Sequence, residues 1–249
     1  MHRSGFLSIV QWFMYKVWIY ITDPIWNNEF SYQERIELWS TGKIFVPPLI
    51  QGSLDDLEEW SEIVFEEVVN TTLISCTWLK HFVQITYEWI PIYIVDNHNH
   101  VLSFWNQYRL TVWSFEHITV FHIDQHADTK DNKEKRITND TWWDNIEDFV
   151  QTKTNVGNFI TAATNSWIIN KVIQIRSDYS LQQLWTWGVE LWSTIVDIDI
   201  DFRVGKVLSQ EDIFIIKSLI KNAKLVTIAT SPYFIDQERA IKIIKELLQ

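Results

Sequence analysis

The 249-residue chain has a single cysteine, Cys76, so no internal disulfide can form. Cys76 lies in the apolar stretch Leu73-Ile74-Ser75-Cys76-Thr77-Trp78 and reads as a small buried hydrophobe, not a nucleophile. Basic charge is in short supply: 21 Lys and Arg against 32 Asp and Glu leave a net charge of −11. That balance argues against nucleic acid or an anionic membrane as partner, and favours a cationic substrate such as a guanidinium or an amine. No apolar run is long enough to span a bilayer. Gln11 and Lys16 interrupt the apolar N-terminal stretch and no small-residue cleavage site comes after it, so neither a signal peptide nor a membrane span is expected, and a reducing, cytoplasmic setting fits. Internal repeats and low-complexity linkers are also missing.

Acids, histidines and tryptophans are what the chain does have. The run Ile118-Thr119-Val120-Phe121-His122-Ile123 is β-branched and aromatic, which predicts a buried strand. It leads into Asp124-Gln125-His126-Ala127-Asp128, with metal-binding side chains at i, i+2 and i+4. Residues two apart on a strand share a face, and open α/β sheets hold ligands at the C-terminal strand ends. A second apolar run, Ser193-Thr194-Ile195-Val196, leads into Asp197-Ile198-Asp199-Ile200-Asp201. Three carboxylates on one strand face repel one another unless a cation neutralises them. A third site is the turn Asp96-Asn97-His98-Asn99-His100. An isolated acidic strand end is usually just solvated, but three such elements together point to a metal centre.

Around these motifs the pattern predicts strands over Lys16–Ile21, Pro91–Val95, Lys171–Ile175 and Leu225–Ala229. It predicts helices over residues 54–70, from His98 to about Tyr108, near Trp142–Gln151, over Val156–Ile169, from Ser209, and from about Asp236. Pro47-Pro48 marks a loop, and the Thr129–Asn139 stretch reads as another. The order strand, helix, strand from residue 91 onward predicts a three-layer αβα fold with a mostly parallel sheet. A single domain over 1–249 is expected, with an aromatic-rich part over 1–90 and a metal-site core over 91–249. The chain contains fifteen tryptophans, seven of them (Trp12, Trp18, Trp26, Trp39, Trp60, Trp78 and Trp89) before the first acidic motif. They read either as core packing or as an aromatic surface that holds an extended peptide.

The candidate metal ligands are His98, Asp124, His126, Asp128, Asp199 and Asp201. This oxygen-rich set without thiolate suits hard or borderline ions such as Mn²⁺, and four carboxylates balance two divalent ions. A rival register makes Asp197 and Asp199 the ligands. His122 reads as a buried, hydrogen-bonded neighbour, and His100 as either a helix-surface residue or a proton shuttle.

Val95-Asp96-Asn97-His98, His122 to Asp128 and Asp197 to Phe202 resemble the motifs of the ureohydrolase superfamily of arginases and agmatinases, whose fold histone-deacetylase-like enzymes share. The match is closest to a divergent branch that contains peptide arginases of ribosomal-peptide (RiPP) biosynthesis. The resemblance covers roughly residues 91–240. It implies an arginase-like fold and two Mn²⁺ ions. One ion would be held by His98, Asp124, Asp128 and Asp199, the other by His126, Asp124, Asp199 and Asp201. It also implies conversion of peptidyl arginine to ornithine and urea in a precursor peptide, by a metal-bridging hydroxide. Asp128 would move the proton, His100 is the shuttle candidate, and Asp197 takes a supporting or substrate role. The chain departs from the arginase pattern twice. It has no histidine after His126, where arginases place a proton shuttle. At Ala229-Thr230-Ser231-Pro232 it has no acid where arginases place a substrate-binding Glu, and Asp236 and Glu238 are weak substitutes. Alternatives are a ureohydrolase of free arginine or agmatine, a two-metal phosphoesterase, and a non-catalytic peptide-binding module.

Overall fold

A computed structural model describes residues 15–112, 117–131, 146–184, 194–203 and 208–249. The strands in chain order are β1 (Ile19–Ile21), β2 (Ile44–Val46), β3 (Leu49–Gln51), β4 (Glu59–Val69), β5 (Thr72–Leu79), β6 (Phe82–Tyr87), β7 (Ile90–Val95), β8 (Thr119–Ile123), β9 (Lys171–Ile175), β10 (Thr194–Asp199) and β11 (Leu225–Ala229). The α-helices are α1 (Tyr32–Glu37), α2 (Val101–Thr111), α3 (Ile146–Lys153), α4 (Phe159–Asn165), α5 (Asp178–Gln183), α6 (Gln210–Asn222) and α7 (Gln237–Leu248).

Seven strands form the central sheet in the order β3-β6-β7-β11-β10-β8-β9. The five from β7 to β9 run parallel, and β6 is antiparallel to β7. The sheet is therefore mixed but mostly parallel. Strand alternation divides the core in two. On one face Val196, Ile198, Ile123 and Ile228 pack with Ile215, Ile216 and Ile220 of α6 and Ile244 and Leu247 of α7. On the other, Ile195, Val120 and Val95 pack with Leu102 and Trp105 of α2, Val150 of α3 and Phe159 of α4. Helices thus cover both faces, as parallel strands require.

Local chemistry accounts for several boundaries. Ser209 caps α6 in a reciprocal capping box with Asp212, and Asp236 caps α7 through the Arg239 amide. The strands Lys171–Ile175 and Leu225–Ala229 match the sequence pattern residue for residue. The first strand is shorter than its apolar run and begins at Ile19. The turn at His98 is one 3₁₀ turn, His98–His100, before α2 begins. Helix α4 is shorter than expected; α3 is described from Ile146 to Lys153, and residues 142–145 of the expected helix lie outside the described residues, as do 132–139 of the expected loop.

The expected helix over 54–70 is not there. Ser53 does form a capping box, but it caps one 3₁₀ turn, Leu54–Asp56, after which the chain extends as β4. A cap fixes where a helical turn starts, not how far it runs. Ile63, Val64, Val68 and Val69 are stiff β-branched residues, and pairing with β5 satisfies the β4 backbone. The β4–β5 turn is Asn70-Thr71 with φ of 49° and 65°, and the β6–β7 turn is Glu88-Trp89 with φ of 45° and 73°. Two consecutive left-handed residues mark type I′ hairpin turns, which normally announce themselves with Asn-Gly or Asp-Gly. Neither hairpin has a glycine at its turn, so neither carried that signal.

The β-branched Thr71 bears a steric cost in the left-handed region. Thr71→Gly is expected to raise stability by about 0.5–1 kcal/mol, read as a higher denaturant midpoint at unchanged slope. A lowered midpoint would refute the I′ assignment.

Candidate metal centre

One polar row crosses the middle of the sheet. The register places His122 of β8, Asp197 of β10 and Thr227 of β11 side by side, on the face that α2 and α4 cover. All three are fully buried. Asp197 Oδ1 accepts from the Thr227 hydroxyl (2.5 Å), and Thr227 in turn accepts from the indole N–H of Trp105 in α2 (3.1 Å). Asp197 Oδ2 accepts from both His122 Nδ1 and His98 Nε2, each at 2.8 Å. Burial works against this charge, but the two imidazoles outweigh it and hold the Asp197 carboxyl down at about 2.

An ionised acceptor between two imidazoles sets their tautomers. His98 carries its proton on Nε2 and turns Nδ1 outward. Nδ1 lies 3.2 Å from one carboxylate oxygen each of Asp124, Asp128 and Asp199. It is buried and makes no hydrogen bond, and neither does Asp124 Oδ2. A nitrogen lone pair facing three carboxylate oxygens is repulsive unless positive charge lies among them. A metal ion fits that requirement.

A second group lies beside the first. His126 Nδ1 is 2.9 Å from Asp201 Oδ2 and 3.5 Å from Asp124 Oδ1. Asp124, His126 and Asp201 can converge on one ion. Both carboxylate oxygens of Asp201 are buried without a hydrogen bond. Asp124 therefore reaches both groups, with Oδ2 toward His98 and Oδ1 toward His126. Asp199 is held in place by the Ser231 hydroxyl on Oδ2 (2.6 Å) and the Asp201 amide on Oδ1 (3.0 Å).

The loops that carry these groups are tight. Asp124 comes directly after the last residue of β8, and its Oδ1 accepts from the His126 amide (2.5 Å). Asp128 has φ of 50° and Ser231 φ of 45°. Strand β10 stops at Asp199, and Ile200–Arg203 is a 3₁₀ turn. The expectation of three carboxylates on one strand face is thus corrected. Asp197 and Asp199 share a face, whereas Asp201 reaches the site from the turn.

Charges in the group are strongly displaced. Burial, reinforced by Asp199 and Asp124, raises the Asp201 carboxyl to about 9. Burial raises Asp128 to about 6. Hydrogen bonding to Asp124 raises His126 to about 9. Burial alone would lower His98, but Asp197 and the other carboxylates outweigh it and hold the ring well above its ordinary value. The protein without metal thus holds protons where metal ions would sit.

The structure brings together all six sequence-derived ligands: His98, Asp124, His126, Asp128, Asp199 and Asp201. Asp197 is a positioning residue, enclosed beneath the histidines and away from solvent. His122 has a larger part than the sequence suggested, because His98, His122 and Asp124 can also converge on one ion. Its Nε2 lies 3.2 Å from Asp124 Oδ2 without a hydrogen bond. Its position two residues before Asp124, on the same strand face, was the available signal.

His100 is not part of the site. It is buried among Tyr15, Trp26 and Phe82, and its Nδ1 meets the Tyr15 hydroxyl at 2.9 Å. Burial lowers its pKa to about 3, so it stays neutral and the shuttle role falls away. Asp236 serves as the α7 cap. Cys76 is buried in β5 and burial pushes its thiol up to about 11, in line with an inert side chain.

A cavity of about 480 Å³ opens over the group, with His98, His126, Asp128 and Asp199 in its lining. Phe30, Phe65, Tyr233 and Phe234 form an aromatic wall, and Glu67, Lys130 and Arg176 add charge. The tryptophans differ in burial. Trp26 and Trp78 are buried, Trp18, Trp39, Trp60 and Trp89 are exposed, and Trp12 lies outside the described residues. No described helix is long and apolar enough to cross a membrane.

The chain matches no family model, no curated protein and no solved structure. Among the described residues, buried His and Asp groups able to hold metal ions are the chemistry this chain displays.

Because Asp124 reaches both groups, Asp124→Asn is expected to abolish metal loading at both positions, read as metal stoichiometry after dialysis; full loading would refute its shared role. Metal uptake must also displace the protons held by His126 and Asp201. Both groups are raised in the folded protein, so apparent metal affinity should climb as pH rises from about 6 to 9, with proton release on binding. Calorimetry in buffers of different ionisation enthalpy measures the release, and an affinity independent of pH would contradict it.

Proposed function

We propose that this chain is a binuclear metal-dependent hydrolase with arginase-like architecture, acting on the arginine side chains of a peptide to leave ornithine and urea. The observation that carries the proposal is the pair of His/Asp groups, joined through Asp124, whose buried lone pairs face one another at an open aromatic cavity. All six proposed ligands are nitrogen or carboxylate oxygen, a donor set that suits Mn²⁺.

When bound, such ions supply the acidity that turns water into a nucleophile near neutral pH. The protein supplies the rest. Asp197 locks His98 and His122 in one tautomer, so that the ligand shell is preorganised. The water oxygen adds to the guanidinium carbon, the bond from that carbon to the side-chain nitrogen breaks, and urea departs. The nitrogen left on the peptide must gain a proton. Asp128 lines the cavity and is placed to carry that proton from the attacking water. Phe30, Phe65, Tyr233 and Phe234 offer flat apolar surface to the methylene stem and to a planar cation. The cavity exceeds the space one amino-acid side chain needs, in keeping with a peptide substrate.

A two-metal phosphoesterase is the second reading, favoured by Lys130 and Arg176 at the cavity. Both side chains are exposed, so solvent screens their charge, and the net charge of −11 disfavours a polyanionic substrate.

Incubation of the Mn²⁺-loaded protein with an arginine-containing peptide is expected to remove about 42 Da per modified arginine, the mass difference between arginine and ornithine, as seen by mass spectrometry. Loss of mass from free arginine alone would point to a small-molecule ureohydrolase. An unchanged peptide, together with cleavage of a generic phosphodiester, would move the assignment to the second reading.

A further inference from the structure

Part of the aromatic cavity wall comes from the N-terminal part of the chain. Strand alternation places Phe65 and Glu67 of β4 on one side and Glu66 on the other. Glu66 is committed: it is buried, ion-paired with Arg35 at 3.0 Å, and bonded to Ser40 and Ser75. Glu67 instead lines the cavity. The Asn97 amide donates to the Val64 carbonyl (3.0 Å), which pins β4 beside the His98 turn.

Among the described lining residues, Glu67 is the carboxylate outside the metal group. It is half-buried and lies close enough to Tyr233 to help raise that hydroxyl's pKa, after burial. No described cation pairs with it. The rings run on from it toward the metal group: Phe65 meets Tyr233 at 5.2 Å, Tyr233 meets Phe234 at 4.9 Å, and Phe234 meets the ligand His126 at 4.6 Å. A carboxylate beside a run of tilted and edge-on aromatic rings has the complementarity of a planar cation on an apolar stem. It accepts N–H bonds in the plane of a guanidinium while rings cover its faces.

We propose that Glu67 is the specificity-determining residue of this site and selects a guanidinium-bearing side chain over a neutral side chain of the same shape. The proposal rests on the hydrolase reading for the chemistry after binding, but the selection itself is a binding property. Glu67 adds a negative charge to the cavity lining beyond the carboxylates of the metal group, where a substrate cation would meet it.

The test compares Mn²⁺-loaded full-length wild type with Glu67→Gln, using an arginine-containing peptide and its citrulline counterpart, which keeps the shape and loses the charge. Calorimetry should show that wild type prefers the arginine peptide by about tenfold or more, and that Glu67→Gln loses most of that preference with metal content unchanged. Where turnover occurs, the substitution should raise KM by a similar factor. Tyr233→Phe keeps the carboxylate and removes the nearby hydroxyl; it should weaken the preference less than Glu67→Gln does. Equal preference in wild type and Glu67→Gln overturns the proposal, as does a wild type that binds neither peptide. Urea release with KM unchanged in Glu67→Gln would leave the hydrolase standing and remove Glu67 from it. Glu67-dependent binding without urea release would do the reverse.

Discussion

An ionised carboxylate buried in the middle of a parallel sheet is costly to keep, and Asp197 is one. It is tolerated because all its surroundings donate to it: two imidazole N–H groups, and a threonine hydroxyl relayed from a tryptophan indole. Removing any donor leaves charge uncompensated, so the arrangement resists change. It also ties together pieces far apart in the chain. The His98 turn, β8, β10 and β11 meet at this one side chain, and helix α2 joins through Thr227.

The same constraint passes outward to the site. Because the inner N–H of His98 donates to Asp197, the outer nitrogen is left to hold either a proton or a metal ion, and it faces Asp124, Asp128 and Asp199. Acceptors facing acceptors demand a cation. Protons meet the demand in the metal-free protein, as the raised positions of Asp201 and His126 indicate. Divalent ions could meet it too, held between the same His and Asp side chains. Above this charged floor lies an aromatic wall, so the cavity joins strong local charge to an apolar surface.

Much of this was legible residue by residue, and the failures have specific causes. Asp124, His126 and Asp128 were readable because a strand has period two and their strand was strongly apolar. The strands Lys171–Ile175 and Leu225–Ala229 were readable for the same reason. The helix expected over 54–70 failed because the residues after a true cap at Ser53 have their partners in β5, and cross-strand pairing overrode the local pattern. Both missed hairpins turn through left-handed residues without a glycine. His100 was promising only through its closeness in sequence to His98. The helical turn carries it to the far side, against Tyr15 and Trp26.

Donor chemistry and strand periodicity are local properties, so the residues alone announce which side chains could bind a metal and that they stand at strand ends. The alternation of apolar runs likewise announces the mostly parallel, helix-covered sheet. Folding in three dimensions settles the division of labour: Asp197 orients histidines while Asp199 faces the metal position, Asp124 joins two groups, and His122 belongs beside them. It also carries Glu67 and Phe65 from a distant hairpin to the cavity wall. Those outcomes depend on strand register and on which hairpin packs over which strand end, contacts between residues tens of positions apart that no local pattern encodes.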